Sequence, residues 1–332
     1  NNITEFLPFI IFCGVTLSFR KLHSGFLRSG KHPLPTQLAE NIIQPTTVIL
    51  LTLVMIYSNS ITLENVLLSV IAGLLVSTFF QFRVGISIDD KKKINGNQPT
   101  SFLDIRTALP FFGIAITGEL YVFADRFIIT NLLGYSETGI FMIAVRNASL
   151  LLTIVAAFQL VLNPYFSAAH EKGDLDAMRV ITACQTVSQF AIALFAAVIL
   201  IVLSFNMTLI FGSEYASAKL PLMVISTLYF VSFFFGSALS YMYMSDNTYQ
   251  AFYIGVFVLF IYGFLLLLLI PSYGLVGAAV ATGFAELSKR ILAFIYISIR
   301  LQLRVDLISS IMFLLKNRND LQKFLNRKKV VK

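Results

Sequence analysis

Apolar residues along this chain neither alternate with polar ones nor return as a one-sided stripe. They run on, about 20 residues at a time. Nine runs stand out, over 3–19, 41–57, 62–82, 107–133, 138–163, 181–204, 220–243, 250–270 and 275–300. Twenty residues of helix rise about 30 Å, the depth of a bilayer's hydrocarbon core. Without period-two alternation, an outer-membrane barrel is not expected. The pattern predicts an all-α, polytopic membrane helical bundle. The longest polar interruption, RVGISIDDKKKINGNQPTSFLDIR (83–106), reads as a linker between two bundles. The expected organisation is therefore three spans in 1–83, a linker in 84–106, six spans in 107–300, and a basic amphipathic tail in 301–332 lying on the inner leaflet.

Composition agrees with this reading. The 332 residues are 57% hydrophobic and 13% charged, against about 25% charged in a soluble domain. The net charge of +8 does not point to nucleic acid, because of where it lies. Twenty of the 25 Lys and Arg residues fall in alternate connections and in the tail: Arg20, Lys21, Arg28 and Lys31; Arg83, Lys91, Lys92, Lys93 and Arg106; Lys172 and Arg179; and nine from Arg300 onward. The opposite-side connections hold only Lys219. The positive-inside rule then places the C-terminus in the cytoplasm and Asn1 outside. A chain entering from outside needs an odd number of earlier crossings. Three upstream helices would make twelve.

The remaining four basic residues, Arg126, Arg146, Lys289 and Arg290, lie within spans, where each charge costs roughly 2.5–3.5 kcal/mol near the membrane centre. In ELYVFADRFIITNLLG (119–134) stand Glu119, Asp125 and Arg126. Around a turn centred near Tyr135 and Ser136, Arg146 lies as deep in the next helix as Asp125 does in its own. An Asp125–Arg146 pair across the hairpin is expected, as a structural clamp or as part of a cargo site. Intramembrane charge commonly faces a hydrated cavity or bundle interior. Arg146, Arg126, Glu119 and Asp125 are accordingly the candidates for lining a partly cationic cavity, Arg146 first. In AELSKRIL, Glu286 has Lys289 at i+3 and Arg290 at i+4, a spacing that allows local pairing. These three are candidates for ion coupling or gating, set against a reading in which Lys289 and Arg290 merely extend to the headgroups.

Gln159, Asn163 and Pro164 end the fifth run, as cavity lining or as a helix stop. Gly277, Ala281 and Ala285 are spaced for close helix contact. Glu40 and Asn41 read as caps of the second span. GFLRSGKH (25–32) matches seven positions of a phosphate loop, but His32 replaces the metal-binding hydroxyl and no strand precedes it. The three histidines lack metal-ligand spacing, and Cys13 and Cys184 both fall in apolar runs. There is no G-x-S-x-G or H-E-x-x-H, so neither catalysis nor a metal or organic cofactor is expected.

Several strings together resemble the polysaccharide and O-antigen flippases, the Wzx-type members of the multidrug/oligosaccharidyl-lipid/polysaccharide exporter superfamily. They are ADRFIITNLLGYSETGIFMIAVRNASLL, LNPYFSAAHEKGDLDAMR, FGSEYASAKLPLMVIS and IPSYGLVGAAVATG, in that order between 124 and 283. The resemblance implies twelve helices in two pseudo-symmetric six-helix lobes, with 1–83 as the later half of the first lobe and 107–300 as the second. It implies transfer of an undecaprenyl-diphosphate-linked oligosaccharide, an O-antigen or capsule repeat unit, from inner to outer leaflet by alternating access. H+ or Na+ would be the coupling ion. A polysaccharide polymerase and a chain-length regulator would be partners alongside membrane lipids. Arg suits a lipid diphosphate through its bidentate fork, and Tyr121, Gln159 and Asn163 are candidate sugar contacts. Competing readings are a cation-coupled multidrug exporter or a lipid II flippase of the same superfamily and, from another class, an integral-membrane polymerase or acyltransferase.

Overall fold

The computed structural model describes residues 3–29, 33–59, 62–89, 105–300 and 304–316. Lys91, Lys92 and Lys93 of the linker and the tail beyond Lys316 lie outside them, as does the Lys31–His32 end of the phosphate-loop lookalike. The chain forms two units, 1–100 and 101–332. All regular structure among the described residues is helical.

The first unit contains α1 (Ile3–Ser29), α2 (Pro33–Leu38), α3 (Gln44–Tyr57) and α4 (Leu63–Asp89). A π-helical turn, Ala39–Ile43, joins α2 to α3. Pro45 lacks the N–H that would reach the Asn41 carbonyl, and the widened turn absorbs that missing bond. Glu40 and Asn41 are therefore inside a continuous helical path and do not cap it; Asn41 donates to Gln37 at 2.6 Å. Arg20, assigned above to a connection, lies inside α1 and is buried. It donates to the Gln44 amide oxygen, and at 3.2 Å to the Ser77 hydroxyl.

The second unit runs from α5 (Ile105–Leu133) through α6 (Tyr135–Ala148), α7 (Leu150–Glu171), α8 (Leu175–Phe205) and the short α9 (Met207–Phe211). It continues with α10 (Lys219–Ser232), α11 (Ala238–Tyr243), α12 (Thr248–Arg300) and α13 (Leu307–Lys316). α12 holds two antiparallel limbs. Straight, it would set Tyr262 and Thr282 about 30 Å apart, yet their hydroxyls are 3.2 Å apart. The reversal is at Gly274, whose φ of 55° and ψ of −134° suit glycine alone. Gly277, Ala281 and Ala285 are all buried on the returning limb, and a Cβ at Gly277 would collide with the Leu269 carbonyl of the outgoing limb. Among the described residues six helices are long and apolar enough to cross a membrane, α12 counting once.

α10 packs against α6, α8 and α12, and α5 lies along α12. The core between them is built from Ile129, Phe141, Leu151, Leu222, Ile225 and Leu266. Two expected continuous spans are interrupted. The fifth divides at Ser149 between α6 and α7. The seventh divides where a 3-10 turn, Phe233–Phe235, meets Gly236 with φ of 71°. A Cβ at Gly236 would collide with the Val305 carbonyl, so this close approach requires glycine.

Candidate functional site

The returning limb of α12 carries the densest buried charge among the described residues of the second unit. Glu286 accepts from Lys289 Nζ at 2.6 Å and from Arg290 Nε at 3.1 Å. The i+3 and i+4 spacing puts both cations on one helix face, so a single carboxylate takes both. The Arg290 guanidinium also lies over the Phe233 ring, 4.8 Å from its centroid, and Lys289 Nζ is 4.6 Å from the Tyr121 centroid. Arg290 is buried and Lys289 largely so. Both side chains turn back onto Glu286 and an aromatic ring. The triad sits twelve residues past the Gly274 reversal, roughly 18 Å along the helix axis.

One carboxylate against two cations leaves a formal surplus of one positive charge. This surplus faces a cavity of about 230 Å³ whose polar lining includes Gln159, Ser237, Ser240 and Tyr243 beside the triad. Gln159 donates to the Ser240 hydroxyl at 2.8 Å, and Gln185 donates to the same oxygen at 3.2 Å.

The interruption at Gly236 forms part of the cavity wall, because a helix broken in mid-span turns backbone and short polar side chains toward the opening. Backbone freed inside a membrane must find partners within the protein, and α8 supplies them. Thr186 Oγ1 accepts from Ser237 N at 3.2 Å, and Ser237 Oγ lies 3.3 Å from the Thr182 carbonyl. Thr186 also donates to the Val305 carbonyl at 3.3 Å. Phe-Phe-Phe-Gly-Ser (233–237) was the available signal for this break: a glycine followed by a serine inside an apolar run.

The other cluster is arranged differently from the expectation. Asp125 is buried, accepts from the Arg126 N–H at 2.7 Å, and meets the Tyr262 hydroxyl. The expected Asp125–Arg146 pair is not formed. Ile140, Phe141, Ala144 and Ala148 form the buried stripe of α6, and Arg146 is two residues, about 200°, from Ala144. Equal depth did not mean a shared face. Arg146 and Glu119 are exposed, as is Arg126, whose Nε contacts Met142 Sδ at 3.3 Å. None of Glu119, Asp125, Arg126 and Arg146 lines the cavity around Glu286. Tyr121 borders the triad, and its hydroxyl donates to the Gly255 carbonyl at 3.1 Å. Gln159 lines the cavity and Asn163, one turn on, does not. No group of three or more possible metal ligands occurs among the described residues.

No protein-family model matches the chain, and no curated protein matches it by sequence. Solved structures do match in fold. A MATE in complex with MaL6 aligns with a TM-score of 0.71 at 12% identity, over 90% of this chain and 69% of that one. A point mutant of a MATE gives 0.66 at 12% identity, over 86% of this chain and 66% of that one. A point mutant of the Vibrio cholerae MATE transporter VcmN gives 0.65 at 16% identity, over 90% and 70% respectively. The chain thus spans about two thirds of those proteins' lengths. Identities this low establish the fold: an all-α, multi-pass membrane architecture of the MATE type.

Proposed function

We propose that this chain belongs to a membrane transporter that moves an anionic, lipid-linked oligosaccharide between leaflets by alternating access. The observation carrying this reading is the surplus cation of the Glu286–Lys289–Arg290 triad, held in a polar cavity within a helix bundle. A cation kept in low dielectric attracts an anion far more strongly than one in water, and Arg with Lys suits a diphosphate. At about 230 Å³ the cavity is below the roughly 300–1,000 Å³ usual for a whole small-molecule site. It would seat the phosphate head, with Gln159, Ser240 and Tyr121 near the first sugar and the remaining cargo outside.

The asymmetry of Lys and Arg along the chain supports a cytoplasmic C-terminus in an inner membrane. Entry from the basic side would draw on the same asymmetry. A polysaccharide polymerase and a chain-length regulator would then act on the transported unit. The second reading, a MATE-like exporter of cationic compounds, draws on the fold likeness and on the buried carboxylates Asp125 and Glu286.

The test is transfer of a fluorescent undecaprenyl-diphosphate sugar in proteoliposomes of the full-length protein. Lys289→Gln is expected to slow transfer at least about tenfold, which corresponds to 1.4 kcal/mol of lost stabilisation, while Lys289→Arg keeps most of it. Parental rates in Lys289→Gln at equal reconstitution would refute the assignment. Efflux of a cationic dye by the parent, without lipid transfer, would favour the exporter.

A further inference from the structure

A second cavity, about 300 Å³, is lined by Arg179 and Thr182 of α8, Tyr241 of α11, Arg304, and Ser309 and Ser310 of α13. It is separate from the Glu286 cavity and shares no lining residue with it. Both arginines are exposed. Arg179 lies 3.9 Å from Asp176, a loose one-turn pair whose carboxylate is 90% exposed, and Arg304 makes no ion pair among the described residues. Asp306 does not line the cavity. Its Oδ2 accepts from Ser309 N at 3.0 Å and so already caps the start of α13. Two guanidinium groups, not a free helix end, supply the attraction for an anion.

α13 determines which anion fits. It turns Leu307 and Ser310 inward and presents Ile308, Ile311, Met312 and Leu315 outward, at i, i+3, i+4 and i+7. The outward residues reach 68%, 39%, 66% and 76% exposure, which makes an apolar stripe on the same helix that lines the cationic cavity. A helix of this kind lies in a membrane interface with its apolar stripe among acyl chains. Basic pockets beside membrane helices receive lipid phosphate. The ligand that satisfies both surfaces is negatively charged at one end and apolar at the other.

We propose that this cavity binds the phosphate of an anionic membrane phospholipid, with the acyl chains lying along the outward stripe of α13. Arg179 and Arg304 grip the phosphate oxygens, and the Ser309 and Ser310 hydroxyls border it. This is a resident-lipid site and does not depend on what the transporter carries.

The experiment is native mass spectrometry of the full-length protein extracted from bilayers of equimolar phosphatidylglycerol and phosphatidylcholine. The parent is expected to retain phosphatidylglycerol preferentially. The Arg179→Gln/Arg304→Gln double variant should lose that preference by about tenfold or more. Ser309→Asp, which keeps both arginines but adds a carboxylate to the wall, should lose it too and serves if the double variant is unstable. Unchanged preference in Ser309→Asp and in any folded double variant overturns the site. Retention of added inorganic phosphate by the parent, with no preference for phosphatidylglycerol, would assign the cavity to free phosphate and overturn the lipid assignment.

Discussion

Arg20 in the first unit and Arg290 in the second are equally hidden, each 6% exposed, yet they are held in different ways. Arg20 is solvated by neutral groups, the Gln44 amide and the Ser77 hydroxyl, and its buried Nε has no hydrogen-bond partner among the described residues. Nor does any carboxylate among them pair with it. Arg290 shares a carboxylate with Lys289 and lies against an aromatic face. Neutral partners hold a cation in place; a carboxylate makes its charge conditional on a neighbour. The second arrangement can respond to an arriving anion, because the anion competes with Glu286 for the same two cations.

That contrast can be broken experimentally. Glu286→Gln carries the largest expected effect. It strands Lys289 and Arg290, and breaking a buried ionic cluster costs about 3–5 kcal/mol. The melting temperature in detergent should fall sharply. Adding Lys289→Gln restores a surplus of one charge and should recover much of the loss. A single variant that melts with the parent would show that the triad is not structural.

Arg20→Met comes next. It removes a cation that has no ion pair among the described residues and leaves two neutral partners behind, at about 1–3 kcal/mol. If Arg20→Met destabilises more than Glu286→Gln, the distinction between neutral and ionic accommodation fails. Arg146→Ala should be the mildest, within about 0.5 kcal/mol of the parent as for most surface changes. Lipid transfer should persist in it if Lys289 and Arg290 engage the cargo. Transfer lost in Arg146→Ala but kept in Lys289→Gln would move the site to α6.

Much of the fold was legible because span length is set by bilayer thickness, and a run of 20 apolar residues records that directly. The Glu286–Lys289–Arg290 cluster was legible because helical spacing brings i+3 and i+4 together whatever surrounds them. The Asp125–Arg146 pair was misread because counting from a turn gives depth and leaves azimuth to the buried stripe of α6. Arg20 was misread because charge near the end of an apolar run looks like a connection. Here two partners from α3 and α4 draw it inside. Gly236 was missed because one glycine in a long apolar run costs a helix only about 1 kcal/mol. The Val305 carbonyl that makes it obligatory lies 69 positions further along the chain.

Thr186 joins two places that are distant in sequence. Its hydroxyl holds the interrupted backbone at Ser237 on one side and the strap leading into α13 on the other. The cavity wall at Ser237 and the approach to α13 thus lean on one side chain, so a change at Thr186 touches both at once.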